Sequence, residues 1–363
     1  MPDKAIQIGL ICEINALDCH ASLRSARNDR QHFIRYYNPM NKDTVLTYPE
    51  LKLNEIKKVH EIIMPYLVWT PVIYTKTLSE LTGTNIYLKL ENMQKTGSFK
   101  PRGALNKTLK VLKEKKVKGL VAASGGNHAQ GVAYAAQKLG LKAILVMFKG
   151  VPDCKINACK SYGAEVVIYG TELQHALDYS FELQKETGFE HIHAFNDIDI
   201  VCGQGTVALE IYKDLPEVDT IISSIGGGGL ISGTASTIKQ INSNVKVFGV
   251  ETIGADSMYQ SFKSGKIVPL PKITSFAEGL SACRVGDVTF NITKEYVDDI
   301  FTISDEKTKD AILLLLERQK LLVEPSSACT VAALLEKNIP VGKNTVVIIS
   351  GGNLDLERLK TFL

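Results

Sequence analysis

Three glycine-rich turns are the segments of this sequence whose residue types and spacing could bind a charged ligand. They are Ser124–Asn127 (Ser-Gly-Gly-Asn), Gly226–Gly229 (four glycines) and Ser350–Asn353 (Ser-Gly-Gly-Asn). Each follows a short apolar run and precedes a segment that we interpret as helical. The first N–H groups of a helix lack intrahelical partners, and the helix dipole adds partial positive charge there. We therefore expect these turns to bind anions such as a phosphate or a carboxylate.

The four consecutive glycines, Gly226–Gly229, require a physical reason, because ordering them costs much chain entropy. Close approach of the backbone to a phosphate is one such reason, and a tight packing turn is the alternative. A dinucleotide fingerprint fits poorly, since the G-x-G-x-x-G spacing is only loosely met, and a Walker A motif is excluded because no G-K-[ST] follows. Asn127 in the first turn is either an ordinary N-cap or a group that holds a carboxylate or a ring oxygen.

Lys100 is the candidate reactive amine, because it stands directly before Pro101 and two residues before Arg102, at the start of a helical stretch. A residue before proline is disfavoured in the αR region. An amine beside an arginine in a partly apolar site should have a lowered pKa, as a lysine that forms a Schiff base requires. A solvated surface lysine is the alternative, which the spacing alone does not exclude.

The elements that must position these residues alternate between short apolar runs and helical segments from Leu53 onward. This alternation predicts an α/β protein with open, mostly parallel sheets and helices on both faces. Ligands of such sheets bind at the carboxyl ends of the strands, where all three turns lie. The predicted strands are Ile86–Leu90, Gly119–Ala123, Ala143–Phe148, Glu165–Tyr169, Thr220–Ile225, Lys246–Glu251 and Thr345–Ser350.

The composition favours a small-molecule ligand. The 363 residues are 45% hydrophobic and 22% charged with a net charge of only +3, which indicates neither a nucleic-acid nor a membrane partner. Seven cysteines without a C-x-x-C pair are expected to be reduced thiols. With no apolar run near the roughly 20 residues of a membrane span and no secretory signal pattern at the start, we expect a cytoplasmic protein. Residues 1–50 are interpreted as an N-terminal extension of unknown role.

Read in order, five motifs resemble those of the fold-type II pyridoxal-phosphate (PLP) enzymes, and most closely the threonine dehydratases and serine racemases. The resemblance covers about residues 55–363. The motifs are S-F-K-P-R-G-A (98–104), S-G-G-N-H-A-Q-G (124–131), G-G-G-G-L (226–230), E-P-S-S-A (324–328) and S-G-G-N-L-D-L (350–356).

The resemblance implies a role for each matching position. Lys100 would carry PLP as a Schiff base, Phe99 would pack beside the pyridine ring, and Asn127 would bond its 3′-oxygen. Ser350 would bond the pyridine nitrogen. The phosphate would be wrapped by Gly226, Gly227, Gly228 and Gly229. The carboxylate of an amino-acid substrate would be held by Ser124, Gly125, Gly126, Asn127 and His128.

Two of these positions predict the reaction. A neutral hydroxyl at Ser350 cannot keep the pyridine nitrogen protonated, so the ring is a weaker electron sink and β-elimination is favoured over a long-lived carbanion. Lys100 is the expected base for the Cα proton. Serine racemases carry a second serine where this chain has Gly125. We therefore predict a threonine/serine ammonia-lyase that releases a 2-oxo acid and ammonia. Serine racemase, or a lyase for another β-hydroxy amino acid such as 3-hydroxyaspartate, is the alternative.

Two departures from the family concern a metal site and the substrate. Relatives that bind a divalent ion have two carboxylates, whereas this chain has Glu251, Ala255 and Ser257. A divalent or monovalent cation at Glu251 and Ala255 is thus a weakened prediction, and a solvent-facing Glu251 is the alternative. Glu278 stands where relatives usually have aspartate, which leaves the preferred substrate open.

The expected architecture has PLP between two domains. The large PLP-binding domain comprises residues 51–109 and 196–363, and the small domain comprises residues 110–195. Relatives assemble as dimers or tetramers, so we expect a homodimer or homotetramer.

Overall fold

The computed structural model describes residues 48–362. The predicted N-terminal extension therefore lies outside the described residues, except for Tyr48–Glu50. In the described range the α-helices are α1 (Leu53–Ile63), α2 (Lys76–Thr82), α3 (Pro101–Glu114), α4 (Asn127–Lys138), α5 (Asp153–Ser161), α6 (Leu173–Thr187), α7 (Ile198–Asp214), α8 (Gly229–Ile241), α9 (Ser257–Ser264), α10 (Asp287–Tyr296), α11 (Asp305–Leu314), α12 (Pro325–Leu335) and α13 (Leu356–Lys360).

The strands of the described chain are β1 (Val72–Tyr74), β2 (Asn85–Leu90), β3 (Gly119–Ala123), β4 (Lys142–Met147), β5 (Glu165–Ile168), β6 (Glu190–His191), β7 (Thr220–Ser224), β8 (Lys246–Thr252), β9 (Asp299–Ile303) and β10 (Asn344–Ile349). They form one sheet of order β1-β2-β10-β7-β8-β9 and a second of order β5-β4-β3-β6. All neighbouring strands are parallel except the antiparallel pair β1–β2. The predicted α/β class with mostly parallel sheets is confirmed.

The larger sheet is buried on both faces, because successive side chains of a strand point to opposite sides. Along β10, Val346 and Ile348 pack with residues of α7 and α8, whereas Val347 and Ile349 pack with residues of α2, α11 and α12. Continuous apolar runs are what a parallel strand covered on both faces requires. This is why the sequence showed these strands as unbroken apolar runs.

The smaller sheet follows the same rule. Leu120 and Ala122 of β3 face a cluster that includes residues of α3 and α4, while Ala123 faces a cluster that includes Ala176 of α6. Its strands lie between residues 119 and 191, so the larger sheet takes strands from both sides of this segment. The exact domain limits given by the sequence stay a prediction.

The seven predicted strands are all present, with ends that differ by at most one residue. Three short strands were missed, namely β1, β6 and β9, which have 3, 2 and 5 residues. β1 and β9 lie at the edges of the larger sheet and β6 at an edge of the smaller one, where only one neighbour pairs. β1 and β6 are too short to leave a clear pattern, and β9 is buried only at Ile300 and Ile303, so its apolar pattern in the sequence is weak.

The prediction that all three glycine turns lead directly into a helix is wrong for the third turn. Residues 351–355 form no helix, and α13 begins only at Leu356, where the Asp355 side chain accepts a hydrogen bond from Glu357 N at 3.0 Å. Gly351 instead forms a β-bridge with Ser98. The third turn therefore acts through side chains and backbone pairing and not through a helix N-terminus.

Two further expectations concern cysteines and membranes. In the described chain Cys159, Cys202 and Cys329 are buried free thiols, and Cys154 and Cys283 are exposed free thiols. Burial raises the pKa of Cys159 to about 12, so this thiol stays protonated. Within residues 48–362, no helix has the combination of length and hydrophobicity that a membrane crossing needs.

Candidate functional site

Lys100 lies at the start of α3, as its N-cap, with φ −54° and ψ −34°. The expectation that Pro101 keeps it out of the αR region is therefore wrong. Its carbonyl accepts a hydrogen bond from Ala104 N at 3.3 Å, and Arg102 N donates to Phe99 O at 3.1 Å. The helical turn thus begins before the proline, which at the first helical position has no N–H to leave unsatisfied.

The Lys100 amine is enclosed by the protein. Its Nζ donates to Ala194 O at 2.9 Å and lies 5.2 Å from the centroid of the Phe99 ring. Burial lowers the pKa of Lys100 to about 8, against an opposing effect of the Glu324 carboxylate. The interpretation as a solvated surface lysine is wrong, and the buried amine loses its proton more readily than an ordinary lysine does.

Arg102 does not cause this pKa shift, contrary to the sequence-based argument. Its side chain is fully buried on the other side of the turn, where it binds Glu91 Oε1 at 2.8 Å and Glu210 Oε1 at 2.7 Å. Lys89, also buried, donates to Glu210 Oε2 at 2.6 Å. Two cations and two carboxylates thus neutralise one another in a buried ionic cluster that ties β2, α3 and α7 together.

The three glycine turns converge on the segment that carries Lys100. Phe99 N donates to Ser350 O at 3.1 Å, and Ser98 pairs with Gly351. Asn353 Nδ2 donates to Asn127 Oδ1 at 2.8 Å, which joins the third turn to the first. Phe195, next to Ala194, packs directly on the second turn. Sites that are about 100 residues or more apart in the chain therefore surround one amine.

The Gly226–Gly229 turn is both sterically constrained and suited to anions. Gly228 is the N-cap of α8 and has φ +93°, which side-chain-bearing residues rarely adopt. A Cβ on Gly227 would lie 2.2 Å from the Phe195 ring, and one on Gly226 would lie 2.9 Å from Gly279 O. The glycines therefore serve packing, which was the alternative weighed from the sequence, and anion binding at this turn stays a prediction. The turn presents backbone N–H groups at the start of a 13-residue helix.

The Ser124–His128 turn places backbone and side chains in different roles. Gly126 is the N-cap of α4 and Asn127 its first residue, so the interpretation of Asn127 as an ordinary N-cap is wrong. Gly126 N donates to Ser124 Oγ at 3.2 Å. His128 points into the interior, where its Nε2–H donates to Ile192 O at 2.8 Å, and burial holds its pKa well below the usual range. Its neutral imidazole therefore has a structural role, and the part of His128 that can serve a ligand is its backbone N–H at the start of α4.

The Ser350 hydroxyl belongs to a buried network of neutral groups. Ser224 Oγ donates to it at 3.3 Å, and Ser327 Oγ lies 2.9 Å away. Ser327 Oγ also donates to Gly351 O and accepts from Gly351 N, each at 2.7 Å. Because Ser327 uses its proton on that carbonyl, Ser350 is the donor in the hydrogen bond between the two serines, and its proton must turn from Ser327 Oγ to reach a ligand. The hydroxyl can hydrogen-bond a ring nitrogen but cannot protonate it.

Glu251 is fully buried, so its interpretation as a solvent-facing residue is wrong. Its carboxylate accepts from Met258 N at 3.1 Å and from Tyr259 N at 2.6 Å, which are in the first turn of α9. Ala255 is also buried and its N–H donates to Thr252 O at 2.9 Å. In the described part of the chain, no three His, Cys, Asp or Glu side chains form a group that could hold a metal ion. Here Glu251 caps a helix.

Sequence reasoning assigned no role to Glu324, although it opens the quoted E-P-S-S-A motif. This buried carboxylate accepts hydrogen bonds from Asn127 Nδ2 and Ser326 Oγ, both at 2.7 Å. His193 was missed as well; burial and the nearby Lys100 charge lower its pKa to about 4. Glu324 could have been noticed because it is a charged residue directly before a buried helix. No feature of the sequence around His193 distinguishes it from the other histidines.

Comparisons with known proteins agree with this geometry. The family model described as pyridoxal-phosphate dependent enzyme matches residues 63–351. The L-threonine ammonia-lyase of Thermotoga maritima is 42% identical over 309 residues, which are 85% of this chain and 77% of that protein. The serine racemase of Dictyostelium discoideum is 39% identical over 316 residues, which are 86% of this chain and 97% of that protein.

A solved structure, that of the processed form of threonine deaminase isoform 2 from Solanum lycopersicum, superposes with a TM-score of 0.79 at 34% identity. The match covers 85% of this chain and 92% of that one. The residues that the family model matches, 63–351, include all strands of both described sheets and the first two glycine turns.

Proposed function

The chain belongs to the family of pyridoxal-phosphate-dependent enzymes, and on that premise we propose that it is a carbon–nitrogen lyase that converts L-threonine, L-serine or both to a 2-oxo acid and ammonia. The observation that carries the proposal is the buried Lys100 amine, with a pKa of about 8, among three turns suited to a phosphate, a carboxylate and a ring. Incubation with L-threonine should yield 2-oxobutyrate and ammonia. The proposal fails if PLP-saturated protein forms no 2-oxo acid and no ammonia from either L-threonine or L-serine.

The residues present fit PLP. The start of α8 offers N–H groups to its phosphate, with Gly226–Gly229 leaving no Cβ in the way. Asn127 offers a donor to its 3′-oxygen, and Ser350 offers one to its pyridine nitrogen once the hydroxyl proton turns from Ser327. Phe99 lies beside the amine that forms the covalent link. When bound, PLP withdraws electrons from the Cα of the substrate and so stabilises negative charge there.

The protein's own residues then divide the work. The start of α4, at Ser124–His128, binds the substrate carboxylate through backbone N–H groups and orients Cα. Lys100, once its nitrogen is free, accepts the Cα proton, for which a pKa near 8 is well matched to neutral pH. Ser350, as a neutral hydroxyl, would not protonate the ring nitrogen, and this would favour expulsion of the β-hydroxyl over accumulation of negative charge at Cα.

Lyase action is favoured over racemisation by the environment of Gly125. This residue offers no side chain that could donate a proton to Cα, and the position that a Cβ would take faces Val151 and Phe148. A Cβ there would lie 2.7 Å from Val151 Cγ2 and 3.1 Å from Phe148 Cε1. A serine at this position therefore needs space that the natural protein does not provide.

The double variant Gly125→Ser/Val151→Ala should raise serine racemisation relative to elimination, because it adds a hydroxyl and removes the methyl group that obstructs it. Chiral chromatography of serine after incubation with the enzyme measures this ratio. Val151→Ala alone is the matched control and should leave the ratio unchanged. Rapid interconversion of serine enantiomers by the unmodified enzyme would contradict the lyase assignment and support a serine racemase.

The rate at which PLP loads onto cofactor-free enzyme should rise with pH and level off above about pH 8, because only the neutral amine of Lys100 is nucleophilic. The lowered pKa of Lys100 also makes the stability of the folded protein depend on pH. The folded-state pKa of about 8 lies below the ordinary 10.5, so the unfolded chain binds more protons between these values. The contribution of Lys100 to stability therefore rises with pH through that window. Stopped-flow absorbance measures the rate of PLP loading. A loading rate that does not change with pH would contradict the role of the Lys100 amine as the group that binds PLP.

The remaining parts of the proposal concern the setting of the enzyme. The free thiols of the described chain support a cytoplasmic location. Assembly into a homodimer or homotetramer is part of the proposal and is tested by analytical ultracentrifugation. A bound divalent or monovalent cation is tested by elemental analysis of the purified holoenzyme, with Glu251→Gln as the comparison.

A further inference from the structure

Asn127 and Asn353 form a hydrogen-bond chain whose direction is fixed at one end by a backbone carbonyl. Asn353 Nδ2 donates to Thr96 O at 2.8 Å, and a carbonyl can only accept. The same Asn353 nitrogen therefore presents its second N–H to Asn127, whose Oδ1 accepts it at 2.8 Å. The amide of Asn127 is thereby oriented with its nitrogen toward Glu324.

Glu324 completes the chain as an acceptor. Its Oε1 receives Asn127 Nδ2 and Ser326 Oγ, both at 2.7 Å. Among residues 48–362, no hydrogen bond is made to Oε2 of this carboxylate. Glu324 is 8% exposed as a whole residue, and a Cβ on Gly351 would lie 2.5 Å from its Oε1, so the carboxylate is held closely against the third turn.

The direction of this chain does not depend on whether Glu324 is ionised. Burial raises the pKa of the Glu324 carboxyl, whereas the hydrogen bonds from Ser326 and Asn127 and the charge of Lys155 oppose that rise. A proton on the carboxyl would sit on Oε2, so Oε1 accepts both donors in either state. Asn127 therefore uses one N–H on Glu324, and its second N–H remains to be offered to a ligand.

We propose that Glu324 is a positioning residue for the cofactor, which holds the Asn127 amide so that its remaining N–H donates to the 3′-oxygen of PLP. The direction set by Thr96 means that the 3′-oxygen meets a donor and never the amide oxygen. This hydrogen bond favours the ionised form of the 3′-oxygen over its protonated form. This inference rests on the proposed function, since it requires that Lys100 holds PLP.

The test compares Glu324→Ala with Glu324→Gln, reconstituted with PLP as full-length proteins. Alanine removes the acceptor, so the Kd for PLP should rise about tenfold, as for loss of one hydrogen bond to a charged group, and the long-wavelength absorbance of bound PLP should fall. Glutamine still offers an amide oxygen to Asn127 and Ser326. It should therefore keep the Kd within about twofold of the natural protein.

Asn353→Ala breaks the same chain at its other link and should reproduce the alanine effect, while Ser326→Ala, which leaves that chain intact, is the matched control and should not. Thermal unfolding of each variant checks that it is folded. Folded Glu324→Ala and Asn353→Ala proteins with unchanged Kd and spectrum would overturn the proposal, as would a Glu324→Gln protein as weak as Glu324→Ala. If the natural protein does not bind PLP at all, the proposed function itself has failed.

Discussion

Replacement of Lys100 by alanine is expected to lower ammonia-lyase activity by about 10⁴-fold, because it removes both the group that binds PLP covalently and the base for the Cα proton. The 2-oxo acid released from L-threonine measures the loss. The absorbance of bound PLP in the visible region should vanish in parallel. Lys113→Ala, an exposed lysine of the same helix, is the matched control and should retain full activity.

This loss should not result from unfolding. Burying the charged amine lowers the pKa of Lys100 to about 8, so at neutral pH the protonated side chain destabilises the folded protein. Lys100→Met keeps most of the volume without the charge and should be at least as resistant to urea as the natural protein. An active Lys100→Met enzyme, or one that keeps the PLP absorbance band, would refute the role given to this residue.

The second large effect is expected on stability, at Arg102. Its guanidinium binds Glu91 and Glu210 in a cluster that is fully buried. Arg102→Met would leave Lys89 as the remaining lysine or arginine near the two carboxylates, with His60 Nε2 3.4 Å from Glu210 Oε1. Breaking a buried ion pair in this way costs about 3–5 kcal/mol. Urea unfolding of the full chain measures the loss, provided that the unfolding is reversible.

Two further variants test whether charge is the cause. Adding Glu91→Gln to Arg102→Met removes the excess negative charge and should recover part of the stability. Lys58→Met, which breaks the exposed Lys58–Glu55 pair, is the matched control and should change little. If Arg102→Met unfolds at the same urea concentration as the control, the cluster does not contribute as argued.

The buried cluster also bears on how Lys100 is presented. Arg102 is two residues beyond Lys100, and its side chain is anchored to α7 through Glu210. Gly103 and Gly203 allow α3 and α7 to approach closely, since a Cβ on Gly203 would lie 2.6 Å from Arg102 O. These contacts hold the start of α3 against α7, and the Lys100 amine lies on the side of the three turns.

Several features of this protein were determined by its sequence alone. Seven of the ten described strands were evident, because a strand buried on both faces needs a largely apolar run. The glycine turns were evident because close backbone approach and a positive φ, as at Gly228, restrict the residue type. Lys100 was identified because its neighbours match a family whose chemistry depends on that position. These are local constraints, and each determines the types of a few adjacent residues.

Only the tertiary structure decided how the site residues are surrounded. Whether Arg102 lowered the Lys100 pKa depended on Glu91 and Glu210, and the structure shows that they neutralise it. Whether Gly125 can accept a side chain depended on Val151, and the direction of the Asn127 amide depended on the Thr96 carbonyl, which acts through Asn353. Hydrogen bonds and charges act over a few ångströms in space between residues that are distant in the chain. Their effects on a side chain therefore cannot be assigned until the fold has brought the partners together.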